Sequence, residues 1–198
     1  ASDDKVRPAL QKAGLDKNGQ DKFLAEGLVK YFLSINEPST ILFPGYMAGV
    51  FPPFKKGNLF AFNHVLSELV EAHDMTQGEL KSGKLKTREG DPQVGIGHNW
   101  TYFDGALAKI ADAVANRGIT KKFERSGEYS DFLGLQYYFR MSLPGVSKKG
   151  KFYGDHPDFG DVYPPGIYEL LKKMNAEYPQ KEIFVTEFGF ADKTDKKR

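Results

Sequence analysis

A β-strand that ends in two polar side chains is encoded at residues 31–37, which read YFLSINE. The first part of the run is rich in aromatic and β-branched residues, and this composition favours a strand. Asn36 and Glu37 follow at the carboxyl end. The stretch therefore predicts a strand that delivers polar groups to one edge of a sheet.

Three further runs have the same character, and they lie at residues 93–99, 131–138 and 182–187. Helical patterns separate the strands at residues 58–73, 104–116 and 166–178, with Gly118 as the expected stop after the second helix. Alternation of near-continuous apolar strands with helices is typical of a parallel α/β sheet with helical crossovers. We therefore expect the fold class to be α/β.

Each predicted strand ends in residues that can bind or react. The four ends are Asn36-Glu37, His98-Asn99, Gln136-Tyr137-Tyr138 and Thr186-Glu187. In parallel α/β folds, and in (β/α)8 barrels above all, the carboxyl edge of the sheet carries the active site. The pattern predicts a functional site at this edge.

The composition excludes several classes of function. The chain has 198 residues and a formal net charge of +2, which fits a single domain over residues 1–198 and argues against nucleic-acid binding. No apolar run approaches the roughly 18 residues that span a bilayer, and the N-terminus lacks a signal-peptide pattern. We expect a cytoplasmic protein that binds no membrane.

The sequence contains no motif for binding a metal ion or a nucleotide. The chain has no Cys, which excludes disulfides, thiolate metal sites and a Cys nucleophile. Its four His residues form no His-x-x-x-His pair, and no glycine-rich phosphate-binding motif occurs. We expect no metal and no cofactor.

Glu37 and Glu187 lie 150 residues apart, yet each closes a predicted strand. If the strands share one sheet edge, the two carboxylates can face each other across a pocket. Glycoside hydrolysis uses such a pair, one as acid and the other as nucleophile or base. The alternative is that both are surface Glu residues paired with Lys, and position alone does not decide between the two.

The local motifs favour the catalytic interpretation. Residues 32–38, FLSINEP, and 183–189, IFVTEFG, resemble the strand-four acid/base motif and the strand-seven nucleophile motif of retaining TIM-barrel glycosidases. Residues 93–99, 131–138 and 162–171 also resemble glycoside hydrolase family 1, the β-glucosidase family, and all five stretches occur in the family's order.

The resemblance implies a role for each matching residue. Glu37 corresponds to the general acid/base and Glu187 to the nucleophile. Asn36 corresponds to the amide that holds the sugar 2-hydroxyl, and Tyr138 to the tyrosine whose hydroxyl contacts the nucleophile. Asn99 corresponds to a polar strand-five position near the sugar.

Two positions depart from the family pattern, and one aromatic residue has two interpretations. Phe188 stands where the nucleophile motif normally has Asn, and Gln136, a candidate substrate-binding residue, stands where Asn is usual. We expect neither residue to touch the two carboxylates, and we expect the sugar contacts around both to shift. Trp100 either stacks on the aglycone side of the substrate or is buried under a loop.

The resemblance covers barrel strands four to seven only. It implies a (β/α)8 TIM-barrel fold that is partial or abbreviated, with about four βα units. The implied function is hydrolysis of terminal β-D-glycosides with retention and without a cofactor. The alternative is a catalytically incompetent carbohydrate-binding or structural barrel fragment that needs a complementary segment. Expected partners are a carbohydrate substrate and either that segment or further copies of the chain.

Overall fold

The structure is a computed structural model that describes residues 3–25, 29–83, 87, 89–125, 130–143 and 160–189. The helices are α1 (Asp3–Lys12), α2 (Lys17–Ala25), α3 (Pro38–Leu42), α4 (Leu59–Lys81), α5 (Ala108–Asp112), α6 (Gly118–Arg125) and α7 (Pro165–Glu177). The strands are β1 (Tyr31–Asn36), β2 (Gln93–Asn99), β3 (Tyr102–Asp104), β4 (Phe132–Tyr137), β5 (Arg140–Ser142) and β6 (Glu182–Phe188). Two π-helical turns, Phe43–Met47 and Ala113–Arg117, continue α3 and α5.

Four strands form one sheet in the order β1-β2-β4-β6, and every neighbouring pair is parallel. Each of these strands lies within one residue of its predicted bounds. The strands are parallel because a helical crossover returns the chain to the same edge each time. The predicted parallel α/β sheet is confirmed, and its strands all end at the same edge.

The core lies between one face of the sheet and the helices that pack on it. Ile96 on β2 and Leu133 and Leu135 on β4 are fully buried against this layer. The helices contribute Phe62 and Leu66 from α4, Ile119 and Phe123 from α6, and Leu170 and Met174 from α7. The two central strands are thus fixed most firmly, and they carry the middle of the carboxyl edge.

The two outer strands of the sheet, β1 and β6, carry exposed apolar side chains. Tyr31 and Leu33 are exposed on β1, as are Val185 and Phe188 on β6. Within the residues that the structure describes, neither strand pairs on its outer side. Such an edge offers free backbone groups to another strand.

Helix α4 extends beyond the predicted end at His73 and reaches Lys81. Asn58 caps its amino end, since its side chain accepts a hydrogen bond of 2.9 Å from Ala61 N. The apolar periodicity stops early because His73 and Gln77 occupy buried positions of the last turns. No helix in the described ranges has the length and apolar character needed to cross a membrane.

The predicted stop at Gly118 is wrong. Gly118 has φ −62° and ψ −36°, an ordinary right-handed helical conformation, and α6 continues from it. Glycine permits the left-handed conformation that ends a helix but does not impose it.

A second, two-stranded parallel sheet, β3 with β5, was not predicted. Each of its strands has only three residues, which is too short for a periodic signal. The strands follow β2 and β4 closely and so lie beyond the carboxyl edge of the main sheet.

Candidate active site

The carboxyl ends of β1, β2, β4 and β6 bring the predicted residues together. Asn36 is paired with Gly97 in the sheet register, Asn99 with Gln136, and Gln136 with Glu187. These positions are far apart in the chain and neighbours in the sheet. The edge that the sequence predicted is therefore an assembled cluster of polar groups.

Glu37 has a left-handed backbone, with φ 46° and ψ 60°. Its N–H donates a hydrogen bond of 2.7 Å to Gly97 O, and Pro38 directly begins α3. This turn ends β1 and directs the Glu37 side chain into a cavity. A non-glycine residue in this region is strained by about 1 kcal/mol, and such strain concentrates at functional sites.

Glu187 is held from two sides. Gln136 Nε2 donates a hydrogen bond of 2.7 Å to Glu187 Oε1, and the Tyr138 hydroxyl donates to Glu187 Oε2. Each carboxylate oxygen thus has its own donor, and the group is oriented without an ion pair from a described residue.

The environment of Glu37 differs. Burial raises the pKa of its carboxyl, a hydrogen bond with the Thr40 side chain opposes this shift, and the nearby charge of Glu187 raises the pKa further. The two carboxyl groups therefore interact electrostatically. Burial and the Glu187 carboxylate also raise the pKa of the Tyr138 hydroxyl, which keeps it a hydrogen-bond donor.

A cavity of about 980 Å³ opens at this edge. Five of the predicted site residues line it: Asn36, Glu37, Asn99, Tyr138 and Glu187. Much of the remaining wall is apolar and includes Phe43, Phe51, Phe103, Met141 and Phe188. A volume of this size can accept a ligand of one or two sugar rings with an apolar group.

Two predicted residues lie outside the cavity wall. Trp100 is 1% exposed and packs in the core, with its ring edge-to-face against His98 at 5.5 Å between centroids. Trp100 is therefore buried and does not line the cavity as an aglycone-stacking residue. Gln136 does not line the cavity as a sugar-binding residue, because it is fully buried. Contrary to expectation it contacts a carboxylate, since it donates hydrogen bonds to Asn36 and Glu187.

Some residues of the cavity wall were not predicted. Thr40 lies one helical turn after Glu37, and that spacing could have indicated it. Phe103 and Met141 come from β3 and β5, whose short strands gave no signal. Phe188 was noted only as a departure from a motif, and its ring stacks with Tyr137 at 6.3 Å.

No group of three or more His, Asp or Glu side chains that could hold a metal ion occurs in the described part of the chain. Fully buried His98 lies behind the edge, where its Nε2 donates to Ala115 O at 3.2 Å.

Known proteins are similar to most of this chain, although no family model matches it. The 1,4-beta-D-glucan glucohydrolase of Thermotoga neapolitana is 27% identical over an alignment of 206 positions, gaps included, which covers 82% of this chain and 47% of the relative. Beta-glucosidase A of Thermotoga maritima is 26% identical, with 82% of this chain and 44% of the relative covered.

The fold has close counterparts among solved structures. Fpglu1 from Fervidobacterium pennivoraus superposes with a TM-score of 0.69 at 27% identity, over 86% of this chain and 42% of that one. The hyperthermophilic beta-glucosidase of Pyrococcus furiosus superposes with a TM-score of 0.64 at 24% identity, over 86% and 39%. The chain spans less than half the length of the curated relatives and structures that it matches.

The fold is that of a partial (β/α) barrel, as predicted, and its counterparts among solved structures are β-glucosidases. The resemblance of the chain to β-glucosidases of the glycoside hydrolase family 1 type is likewise confirmed.

Proposed function

We propose that the chain carries the two-carboxylate site of a retaining β-glycosidase that hydrolyses terminal β-D-glycosides. The observation that supports this most is the pairing of Glu37 and Glu187 in one cavity with unlike surroundings. Burial and a neighbouring negative charge raise the pKa of Glu37, whereas Glu187 accepts two hydrogen bonds. Unlike environments let one carboxyl keep its proton while the other stays ionised.

In the first step, a Glu187 oxygen attacks the anomeric carbon and forms a covalent glycosyl ester. Glu37 gives its proton to the leaving oxygen as the glycosidic bond breaks. In the second step, ionised Glu37 takes a proton from water, whose oxygen attacks the anomeric carbon and releases Glu187. The sugar keeps its original configuration, and both carboxyl groups return to their starting states.

Asn36, Asn99 and Tyr138 are the residues that we propose to contact the substrate or the nucleophile directly. Asn36 holds the 2-hydroxyl, a contact that strengthens in the transition state. Asn99 offers a buried Oδ1 that has no hydrogen-bond partner within the described residues, and it lines the same cavity. We assign to Asn99 a polar contact with the sugar through the part of its side chain that lines the cavity.

The two outer strands of the main sheet, β1 and β6, are available to pair with another chain segment. β1 and β6 are free on their outer sides in the described residues, and apolar side chains are exposed beside them. We propose that a complementary barrel segment, or a further copy of the chain, pairs with these edges. The relatives' lengths favour the segment, because most of each relative lies outside the matched region.

The alternative class is a carbohydrate-binding or structural protein without turnover. It corresponds to a barrel fragment that needs a complementary segment before it can hydrolyse a glycoside. A cytoplasmic location and a single domain over residues 1–198 stay predictions.

The test is hydrolysis of an aryl β-glucoside and an aryl β-galactoside by the purified chain and by Glu187→Gln. The catalytic proposal expects turnover by the wild type, first-formed sugar of β configuration by NMR, and loss of turnover in the variant. Glu182→Gln is the matched control, since it lies on the same strand at the opposite, exposed end. Sugar binding without turnover by either protein would support the alternative.

A further inference from the structure

The Gln136 side chain connects the proposed sugar-binding residue Asn36 to the proposed nucleophile Glu187, and it lies outside the cavity wall. The Gln136 Nε2 atom donates a hydrogen bond of 2.7 Å to Asn36 Oδ1 and another of 2.7 Å to Glu187 Oε1. Gln136 is fully buried, and its partners lie 100 and 51 residues away in the chain. A single amide therefore links β1 to β6 across the sheet edge.

We propose that Gln136 is a positioning residue that sets the orientations of the Asn36 amide and the Glu187 carboxylate together. The inference rests on the proposed function, because it assigns Asn36 to the sugar and Glu187 to the anomeric carbon. Gln136 itself does not touch the substrate.

The hydrogen-bond chemistry allows one arrangement only. An ionised carboxylate accepts hydrogen bonds and cannot donate them, so Gln136 must present its NH2 group to Glu187. The same NH2 group also meets Asn36, which must therefore present its oxygen. The Asn36 NH2 group is then the one left to donate to a ligand in the cavity that Asn36 lines. The charge of Glu187 thus fixes which end of Asn36 faces the sugar.

A glycine makes room for this bridge. A Cβ atom at Gly97 would lie 2.9 Å from Gln136 Nε2 and 3.1 Å from Asn36 Oδ1, so any side chain there would displace the amide. The bridge passes over β2 at this point.

The carbonyl oxygen of the Gln136 side chain indicates that this residue serves function rather than stability. Gln136 Oε1 is buried without a hydrogen-bond partner among the described residues. An unsatisfied buried carbonyl of this kind costs about 1–3 kcal/mol. A side chain selected for stability alone would avoid that cost.

The first test does not depend on activity. In a ¹⁵N–¹H spectrum of the full chain, both Gln136 side-chain protons are expected to exchange slowly with solvent. Asn36→Ala should shift mainly one of these protons, and Glu187→Ala should shift mainly the other. Rapid exchange of both protons, or a spectrum that neither variant alters, would overturn the proposal.

The second test separates positioning from folding by kinetics. Gln136→Met keeps the length of the side chain and removes both donors. On an aryl β-glucoside we expect kcat to fall about 10- to 100-fold with KM changed less than about twofold, and Gln136→Asn to recover part of the loss. On the 2-deoxy substrate the loss should be smaller, because Asn36 then has no 2-hydroxyl to hold.

Gln93→Met is the matched control, because Gln93 lies at the opposite end of β2 and its Nε2 contacts only the Asp91 carbonyl among the described residues. An unchanged kcat in Gln136→Met would overturn the positioning role. Absence of hydrolysis by the wild type would instead count against the proposed function, and the spectroscopic test would still decide the role of Gln136.

Discussion

The Tyr138 hydroxyl donates a hydrogen bond to Glu187 Oε2, and this contact joins the residue after β4 to the second-to-last residue of the neighbouring strand β6. The phenol stays protonated because burial and the adjacent carboxylate both raise its pKa. Tyr138 therefore remains a donor to the proposed nucleophile at neutral pH and up to at least the ordinary pKa of a phenol, about 10.

Tyr138→Phe should slow turnover without unfolding the protein. A hydrogen bond to a charged group contributes about 1.5–3 kcal/mol, which corresponds to a loss of about 10- to 100-fold in kcat/KM. Stopped-flow and steady-state assays with an aryl β-glucoside measure this. Tyr168→Phe serves as the control, because Tyr168 is exposed on α7 and remote from the cavity lining. Equal rates in the two variants would contradict the role of Tyr138.

The pKa of Glu37 should depend on the charge of Glu187. Burial is the larger cause of its elevation, and the Glu187 carboxylate adds to it. Glu187→Gln removes this like charge, so the Glu37 carboxyl should titrate at lower pH while remaining affected by burial. ¹³C NMR of labelled glutamate measures the change, with Glu182→Gln as control.

The same shift sets a limit on activity at high pH. Glu37 must be protonated to act as the acid, so kcat/KM should fall as the pH rises through its elevated pKa. A titration midpoint that is identical in wild type and Glu187→Gln would show that the two carboxyl groups do not interact.

The buried imidazole of His98 should make stability depend on pH. Burial lowers the pKa of His98 to about 4, below the ordinary 6.5 of the unfolded chain. Its contribution is complete above pH 6.5 and is lost as the pH falls toward 4, because only the unfolded chain binds the proton there. Between pH 7.5 and pH 5, this residue should reduce the free energy of unfolding by about 2 kcal/mol.

Trp100 provides the measurement, since it is the only Trp of the chain and packs against His98. Urea unfolding followed by its fluorescence at the two pH values should show a smaller difference in His98→Gln than in the wild type. His64→Gln, at an exposed position of α4, should keep the wild-type difference. The same difference in His98→Gln as in the wild type would assign the pH dependence elsewhere.

Two glycines should respond to alanine with opposite signs. At Gly95 a Cβ atom would lie 2.5 Å from Phe132 O and 2.8 Å from the Phe132 ring, in the centre of the sheet. Gly95→Ala should therefore destabilise the protein by about 1–3 kcal/mol. At Gly78 on α4 nothing lies within 4 Å, so Gly78→Ala should stabilise it by about 0.5–1 kcal/mol. Denaturant midpoints of the two variants on the same side of the wild type would contradict this.

The strands of the main sheet could be predicted closely because their apolar runs are short and bounded by turn residues. The ends of the helices were harder to predict from the sequence. His73 and Gln77 interrupt the apolar pattern of α4 although both are buried, and Gly118 continues a helix that glycine could equally have ended. Burial against the rest of the fold, which the local sequence does not encode, decided the outcome for His73 and Gln77.

For the site, the sequence predicted which residues reach the edge but not which way each one faces. Trp100 follows Asn99, and the backbone N–H of Trp100 donates a hydrogen bond of 2.9 Å to the backbone O of Gln136. The strand geometry therefore continues through Trp100. Neighbouring residues then face opposite sides, and Asn99 lines the cavity while Trp100 enters the core. The register between β4 and β6 shifts at Leu135 and Gln136, and such an irregularity leaves no mark in the sequence.

The bridge through Gln136 also has a kinetic consequence. Its partners are 100 and 51 residues distant, so long stretches of chain must be ordered before either hydrogen bond can form. Contacts between residues so far apart form slowly during folding, because the chain must first lose the conformational entropy of closing the loop between them. The side-chain amide of Gln136 should therefore become protected from exchange only when β1, β4 and β6 have all joined the sheet. Fraying of either outer strand, β1 or β6, should expose part of this polar cluster again.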